Sequence, residues 1–506
     1  MTRDLSVNRN VIANFAGSIW SALMLLAFVP FYIRLMGVES YGIVGVFTSL
    51  MAMLAVLDLG LSQTMNREMA RLASDEKGSR QLAETARTLE IIYWGIGLLV
   101  GCLIALLSSF IAYQWLNPEQ LSRDALQQAL WIMALVIALR WPVALYTGGL
   151  NGLQRQVQAN VLLIGISTAQ GFGALAVLWF VEPSIQAFFW WQAGVALIQA
   201  LLLRSALWNN LPDKEYAAFR MSIVSNLWRF AAGISGISLL AIVLTQLDKV
   251  LLSKMLTLSQ FGYYTFAATA AAITGKVVGP IFTAYSPRLS ALVAQNRQTE
   301  LIKTYHQGCQ LVSLALVPLV LMLAVFADEI LGLWGQDPEL VSNSGTLLSL
   351  LVIGNGLNGL MNLPYALQIA HGWTRLVLLT NLVAVFMLVP AIYFMTLHWG
   401  AEGAAWVWIV LNTGYLIFNV QIMHRRLLVN EKIRWYLQDV IIPIIFPLLA
   451  VLLAKMVMPE LSGMSVIAEI GVLVLLSGFV LFVASMSSLS GRSMAMRLLH
   501  PMPRSS

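Results

Sequence analysis

Charge is scarce in this chain. Asp, Glu, Lys and Arg make up 11% of its 506 residues against 59% hydrophobic, and mean hydropathy is +0.77. A soluble domain carries about 25% charged residues, so the balance implies a polytopic membrane protein. Cysteine is nearly missing. Cys102 and Cys309 lie in or beside apolar runs and read as small core hydrophobes, not as a disulfide framework. The five histidines, His306, His371, His398, His424 and His500, are scattered, and no HExxH or CxxC spacing offers a metal site. A GxxxxGK[ST] loop is missing too, which excludes ATP use through that motif. GFGALA at 171–176 sits inside an apolar run, where helix packing explains it, and GISGIS at 233–238 does not fit G-x-S-x-G. The net charge of +6 does not indicate nucleic acid, because the basic residues sit in short loops between apolar runs.

What is present is a series of apolar runs, each near the ~20 residues that a membrane crossing needs. Fourteen are expected: 11–35, 41–65, 88–112, 127–150, 157–181, 185–208, 228–253, 260–288, 306–328, 345–370, 374–397, 402–424, 438–457 and 464–487. The start, MTRDLSVNRN, has no cleavable pattern, so the first run is expected to stay as a span. With the N-terminus inside, alternate loops on that side collect 23 of the 30 Lys and Arg residues. The opposite side keeps Arg34, Arg123, Lys254 and Lys455 and most of the acids outside the basic loops, including Glu119 and Asp337. The positive-inside rule then predicts both termini in the cytoplasm.

The chain also repeats itself. LYTGGLNGLQRQVQAN at 145–160 parallels LPYALQIAHGWTRLVLLTN at 363–381, NFAG at 14–17 parallels RFAAG at 229–233, and SYG at 40–42 parallels QFG at 260–262. Six spans per unit is an even number, so the repeat is parallel, with a pseudo-two-fold axis along the membrane normal. The expected architecture is all-α: a six-helix lobe over 1–212, a second over 213–432, and an extra two-helix hairpin with a tail over 433–506. Lying outside the repeat, the hairpin is expected to be separable by truncation after about residue 435.

Polar residues inside the spans mark candidate sites, since a charge at mid-bilayer costs at least ~2.5–3.5 kcal/mol. In the eighth span Thr265, Thr269, Lys276 and Thr283 share one helical face, and in the seventh Ser238, Thr245, Lys249 and Ser253 do the same. The fourth span aligns Arg140, Thr147, Asn151 and Arg155, with Pro142 expected to bend the helix beside Arg140. The second aligns Asp58, Ser62 and Asn66, leading to Arg67 and Arg71. Arg140 and Lys276 are far from their helix ends and are expected to face a water-filled cavity. Lys249 either joins them or snorkels to the surface.

The segments YGIVGVFTSLMAMLAVLDLGLSQTMNREMAR, GLNGLQRQVQANV and TQLDKVLLSKMLTLSQFGYYTFA, in this order and spacing, resemble the polysaccharide transporter branch of the multidrug/oligosaccharidyl-lipid/polysaccharide (MOP) superfamily. The likeness is greatest to O-antigen (Wzx-type) flippases and covers about residues 8–430. It implies a V-shaped pair of six-helix bundles in the bacterial inner membrane. It also implies that undecaprenyl-pyrophosphate-linked glycan is moved from the cytoplasmic to the periplasmic leaflet for lipopolysaccharide or exopolysaccharide biosynthesis. On that reading the protein is not an enzyme and holds no cofactor. A proton or sodium gradient is the candidate energy source, and Asp58 and Asp248 are the candidate coupling acids. The substrate-binding candidates are Arg140, Lys276, Lys249, Arg34, Arg67, Arg71 and Arg288, since basic groups suit an anionic pyrophosphate. Membrane lipids, polysaccharide polymerase and chain-length machinery are the implied partners, with no nucleic acid. Most O-unit flippases have twelve spans. The hairpin at 438–487 departs from that pattern and is similar to the fourteen-span lipid II flippases and some exopolysaccharide transporters. A multidrug exporter on the same fold is the alternative, although organic cations would call for carboxylates in the cavity. A membrane glycosyltransferase or polymerase would be expected to carry a substantial extramembrane loop, and those near 112–126 and 329–344 are short.

Overall fold

The computed structural model describes residues 2–58, 60–73, 79–212, 217–458 and 464–487. Lys77, Lys214, Arg492, Arg497, His500 and Arg504 lie outside the described residues, as do the side chains of Arg3, Arg9, Arg229 and Ser238. Two compact units divide the chain at Gly262/Tyr263. Among the described residues every regular element is helical, as expected where no water is available for open backbone groups.

Unit 1 holds α1 (Thr2–Leu54), α2 (Leu61–Ala73), α3 (Ser79–Phe110), α4 (Arg123–Arg140), α5 (Val143–Gly152), α6 (Gln156–Phe180), α7 (Ile185–Asn209) and α8 (Met221–Met255). α9 (Leu258–Ala271) crosses the division. Unit 2 continues with α10 (Ile273–Ala294), α11 (Gln298–Val325), α12 (Ala327–Gly335), α13 (Pro338–Leu360), α14 (Asn362–Ala370), α15 (Thr374–Gly414), α16 (Val420–Arg426), the single turn α17 (Lys432–Arg434), α18 (Ile442–Val457) and α19 (Val466–Ser487). π-helical stretches interrupt it at Tyr415–Asn419 and Trp435–Ile441.

Eleven described stretches are long and apolar enough to cross a membrane. Two of them are long enough for two crossings each: Ala16–Asp58 breaks at Gly37, with φ 84°, and Thr374–Arg426 breaks at Trp399–Gly400, with Gly400 at φ 56°. Counting the halves separately and adding the 35-residue α8 gives the expected fourteen. The breaks fall between the predicted runs 11–35 and 41–65, and between 374–397 and 402–424. The run at 260–288 departs from the expected single helix, because α9 and α10 divide at Ala272. The seven-residue step from Thr269 to Lys276 therefore spans a joint. The bend expected at Pro142 separates α4 from α5, since proline has no N–H for the Ala138 carbonyl.

Unit 1 closes around Met65, Met69, Leu89, Tyr93, Tyr146 and Leu203, all fully buried. Two of the segments that carry the resemblance meet here. α5 lies so close to α2 that a Cβ on Gly148 would sit 2.5 Å from the Ser62 carbonyl oxygen, and one on Gly152 2.3 Å from that of Asn66. The four-residue step on both helices is the small-xxx-small contact of membrane helices. A second close approach follows the repeat. A Cβ on Gly42 would meet Leu258 O at 2.5 Å, and one on Gly262 would meet Val38 O at 2.3 Å. Gly42 and Gly262 are 220 residues apart, as are the residues they meet, Val38 and Leu258.

Unit 2 has a core around Tyr305, Cys309, Leu316, Leu363, Val420 and Trp435. A satellite cluster of Met322, Phe326, Val451, Leu473, Leu476 and Val480 joins α11 to both helices of the C-terminal hairpin. Lys455 also pairs with Glu329 on α12. The hairpin expected to be separable packs on unit 2: Trp435 is buried in the core of unit 2, and α18 and α19 lie on α11.

Candidate functional site

Arg140 ends α4, and its surroundings in unit 1 are almost neutral. Its Nη2 donates to Gln192 Oε1 on α7 at 2.7 Å, and its guanidinium lies 5.4 Å from the Phe47 ring centroid. Its Nε is buried with no hydrogen-bond partner among the described residues. An amide and a ring offset little of a full charge, so the site retains a cation with a donor to spare.

Around α2 the basic residues converge. Thr64, Arg67, Glu68 and Arg71 from α2 line a cleft of about 560 Å³ with Gln81, Glu84 and Thr85 from α3 and with Arg220 at the start of α8. Arg71 donates through Nε and Nη2 to Glu68 at 2.9 and 2.7 Å. Arg220 forks onto Glu84 with contacts of 2.6 and 2.8 Å, and Arg80 reaches the same carboxylate at 3.1 Å. Three guanidiniums and two carboxylates line the cleft among the described residues. Arg67 is exposed there. Arg220 was not a sequence candidate, because a loop arginine before a helix is ordinary; only the packing of three elements makes it part of a cleft.

Asp58 stands at the turn into α2. Its Oδ2 accepts from the Ser62 hydroxyl at 2.8 Å and its Oδ1 from the Tyr93 hydroxyl on α3. Those contacts fit the first turn of α2, where orphan N–H groups favour an acid. On α8, Lys249 is half-buried with Gln246 Oε1 at 3.4 Å, and Asp248 beside it is half-buried too. Arg34, Lys276 and Arg288 are exposed, and among the described residues none has a hydrogen-bond or ion-pair partner. The polar face around Lys276 is quiet: Thr269 and Thr283 return their hydroxyls to the carbonyls of Thr265 and Gly279. The structure thus brings Arg67 and Arg71 together and places Asp58 just before them in sequence. Arg140 stands on a separate set of contacts.

Glu90 and Asp439 are among the buried acids within the spans that escaped the sequence reading. Glu90 on α3 is 4% exposed by its side chain and accepts from Tyr146 Oη at 2.8 Å, Arg204 Nε at 2.7 Å, Arg87 Nη1 at 3.1 Å and Trp208 Nε1 at 3.3 Å. Arg87 three residues before it was the available signal. In unit 2 Asp439 is fully buried and lies against His306, Gln310 and Ser313 of α11. Histidines scattered in sequence are neighbours here, since Tyr305 separates His306 from His424, with its hydroxyl 3.5 Å from His424 Nε2.

Comparison with known proteins bears on this arrangement. The family model described as "Polysaccharide biosynthesis protein" matches residues 7–293, and the MatE family model matches residues 234–394. The chain is 20% identical over 407 residues to a Shigella flexneri protein named "Putative O-antigen transporter", covering 80% of this chain and 94% of the relative. Among solved structures, an inward-facing multidrug resistance MATE family transporter of the MOP superfamily superposes with TM-score 0.68 at 12% identity, over 80% of this chain and 96% of that one. The lipid II flippase MurJ in its inward closed conformation superposes with TM-score 0.66 at 13% identity, over 97% of this chain and 99% of that one. At such identities the likeness establishes the fold. The wider coverage by MurJ extends it to the C-terminal hairpin.

Proposed function

The chain belongs to the polysaccharide biosynthesis protein family, and from that premise we propose that it is a flippase for undecaprenyl-pyrophosphate-linked oligosaccharide, an O-antigen or exopolysaccharide repeat unit. The observation that carries this reading is Arg140, which among the described residues has no carboxylate partner and keeps an unused Nε donor inside a membrane bundle. Such a group suits phosphate oxygens, which accept its forked donors. The Arg67–Arg71–Arg220 cleft supplies a second cationic surface for the same headgroup. Transport then proceeds by alternating access: the sugar-pyrophosphate head enters from the cytoplasmic side, its lipid tail stays in the bilayer, and two lobes rock about it. Lys276, Lys249, Arg34 and Arg288 are the remaining candidate contacts. Asp58 and Asp248 are the candidate acids for coupling to a proton or sodium gradient. The protein works in the bacterial inner membrane with both termini in the cytoplasm, alongside the polymerase and chain-length machinery.

Complementation of an O-unit flippase null strain tests this reading, scored for lipid-linked glycan reaching the periplasm. The wild-type chain is expected to restore export. The MatE match favours a second reading, a multidrug exporter. Efflux of a cationic dye without any glycan export would select it.

A further inference from the structure

We propose that His306, Asp439 and Glu431 form a proton-binding site in unit 2, and that the bound proton fastens the C-terminal hairpin to α11. His306 Nδ1 meets Asp439 Oδ2, and His306 Nε2 lies 3.0 Å from Glu431 Oε2. Both ring nitrogens therefore face carboxylate oxygens. A neutral imidazole carries one N–H, so it donates to one carboxylate and turns a lone pair toward the other. Two lone-pair groups at hydrogen-bond distance repel each other in a buried site. The geometry is satisfied by one more proton, held as an imidazolium or as a protonated carboxyl beside a neutral ring.

The site is enclosed at one end and open at the other. His306 is 3% exposed and Asp439 0%, while the Glu431 side chain is 19% exposed. Asp439 Oδ1 also accepts from Gln310 Nε2 at 2.9 Å, and its backbone carbonyl accepts from the Ser313 hydroxyl. Glu431 is thus the path by which a proton reaches His306. The other titratable or charged groups around the ring are Tyr305 and Cys309 on α11, His424 on α16, and Lys432, Arg434 and Tyr436 on the C-terminal segment. Arg434 reaches Glu431 at 3.5 Å. None of them donates a hydrogen bond to Asp439 in place of His306.

All three α11 donors meet the segment that leads into α18, so the cluster is a joint between the helical unit and the hairpin. Deprotonation leaves a lone pair against a carboxylate at that joint. The sign follows: a site that holds a proton only when docked contributes stability below its titration midpoint and loses it as pH rises. The joint therefore loosens at high pH.

Hydrogen exchange on the full chain in lipid nanodiscs tests this, followed over α18 and α19 from about pH 5 to 9, the range around histidine titration, and corrected for intrinsic exchange. The wild-type opening equilibrium is expected to rise about tenfold per pH unit above the midpoint, the slope for one released proton. Asp439→Asn and Glu431→Gln each replace one carboxylate by an amide that donates to the bare ring nitrogen, so each is expected to stay docked with a flat profile. A wild type with no slope across the range would overturn the proposal. So would either variant keeping the wild-type slope. If one variant does not accumulate, the other and the wild-type profile decide the question.

Discussion

At the scale of single residues, Glu90 is a buried charge that accepts from four donors, and Arg140 is one whose Nε is left over among the described residues. Replacing Arg140 by Ala is expected to cut glycan export at least tenfold, about 1.4 kcal/mol, in line with one charge-assisted hydrogen bond, at normal protein abundance. Arg140→Lys keeps the charge and loses the fork, so export should fall between Ala and wild type; Arg140→Glu should be worst. If Lys276 acts on the same substrate group, the double Ala variant should be non-additive. Wild-type export from the Arg140→Glu, Lys276→Glu double variant would remove both residues from the substrate path. Glu90 makes the opposite case. Its four donors are satisfied, so Glu90→Ala should act on stability and not on substrate. Removing one member of a buried pair costs up to about 3–5 kcal/mol, and less here because the Arg204 and Arg87 side chains are each 42% exposed. A lower unfolding temperature in detergent, with export per folded molecule unchanged, is the expected result.

At the scale of elements, close helix contacts position the candidate cleft. Gly148 and Gly152 let α5 lie against the α2 backbone that carries Arg67 and Arg71. Gly152→Leu is expected to push α2 away and to destabilise unit 1 by about 1–3 kcal/mol or more, with Gly148→Ala milder. Thermal unfolding of the purified variants measures the ranking. The C-terminal hairpin behaves as an element of unit 2. Truncation after residue 435 removes Asp439 and exposes Met322 and Phe326 of the satellite core. The shortened chain should therefore accumulate poorly in membranes, and normal abundance with a sharp size-exclusion peak would show that unit 2 folds without the hairpin.

At the scale of the whole molecule, the distribution of loop charge predicts topology. Single cysteines at positions 77, 214, 297 and 432 should be labelled only from the cytoplasm, and those at 119 and 337 only from the periplasm. Labelling of position 214 from outside would overturn the assignment of lobes.

Fourteen apolar runs and the breaks near residues 37 and 400 were legible in the sequence. Each depends on local properties: a bilayer selects run length, and breaks follow from a few neighbouring residues. Arg140 was legible as well, because a charge deep in an apolar run stands out without knowledge of its neighbours. Its partner, Gln192, was not. Nor were Arg220 beside Arg67 and Arg71, the donors around Glu90, or the junction of His306 with Asp439, 133 residues apart in the chain. Hydrophobic period and charge order leave partner choice open, since many helix rotations bury the same apolar area. Tertiary packing decided the partners, because burying a polar group without a hydrogen bond costs stability and so favours the arrangement that supplies one.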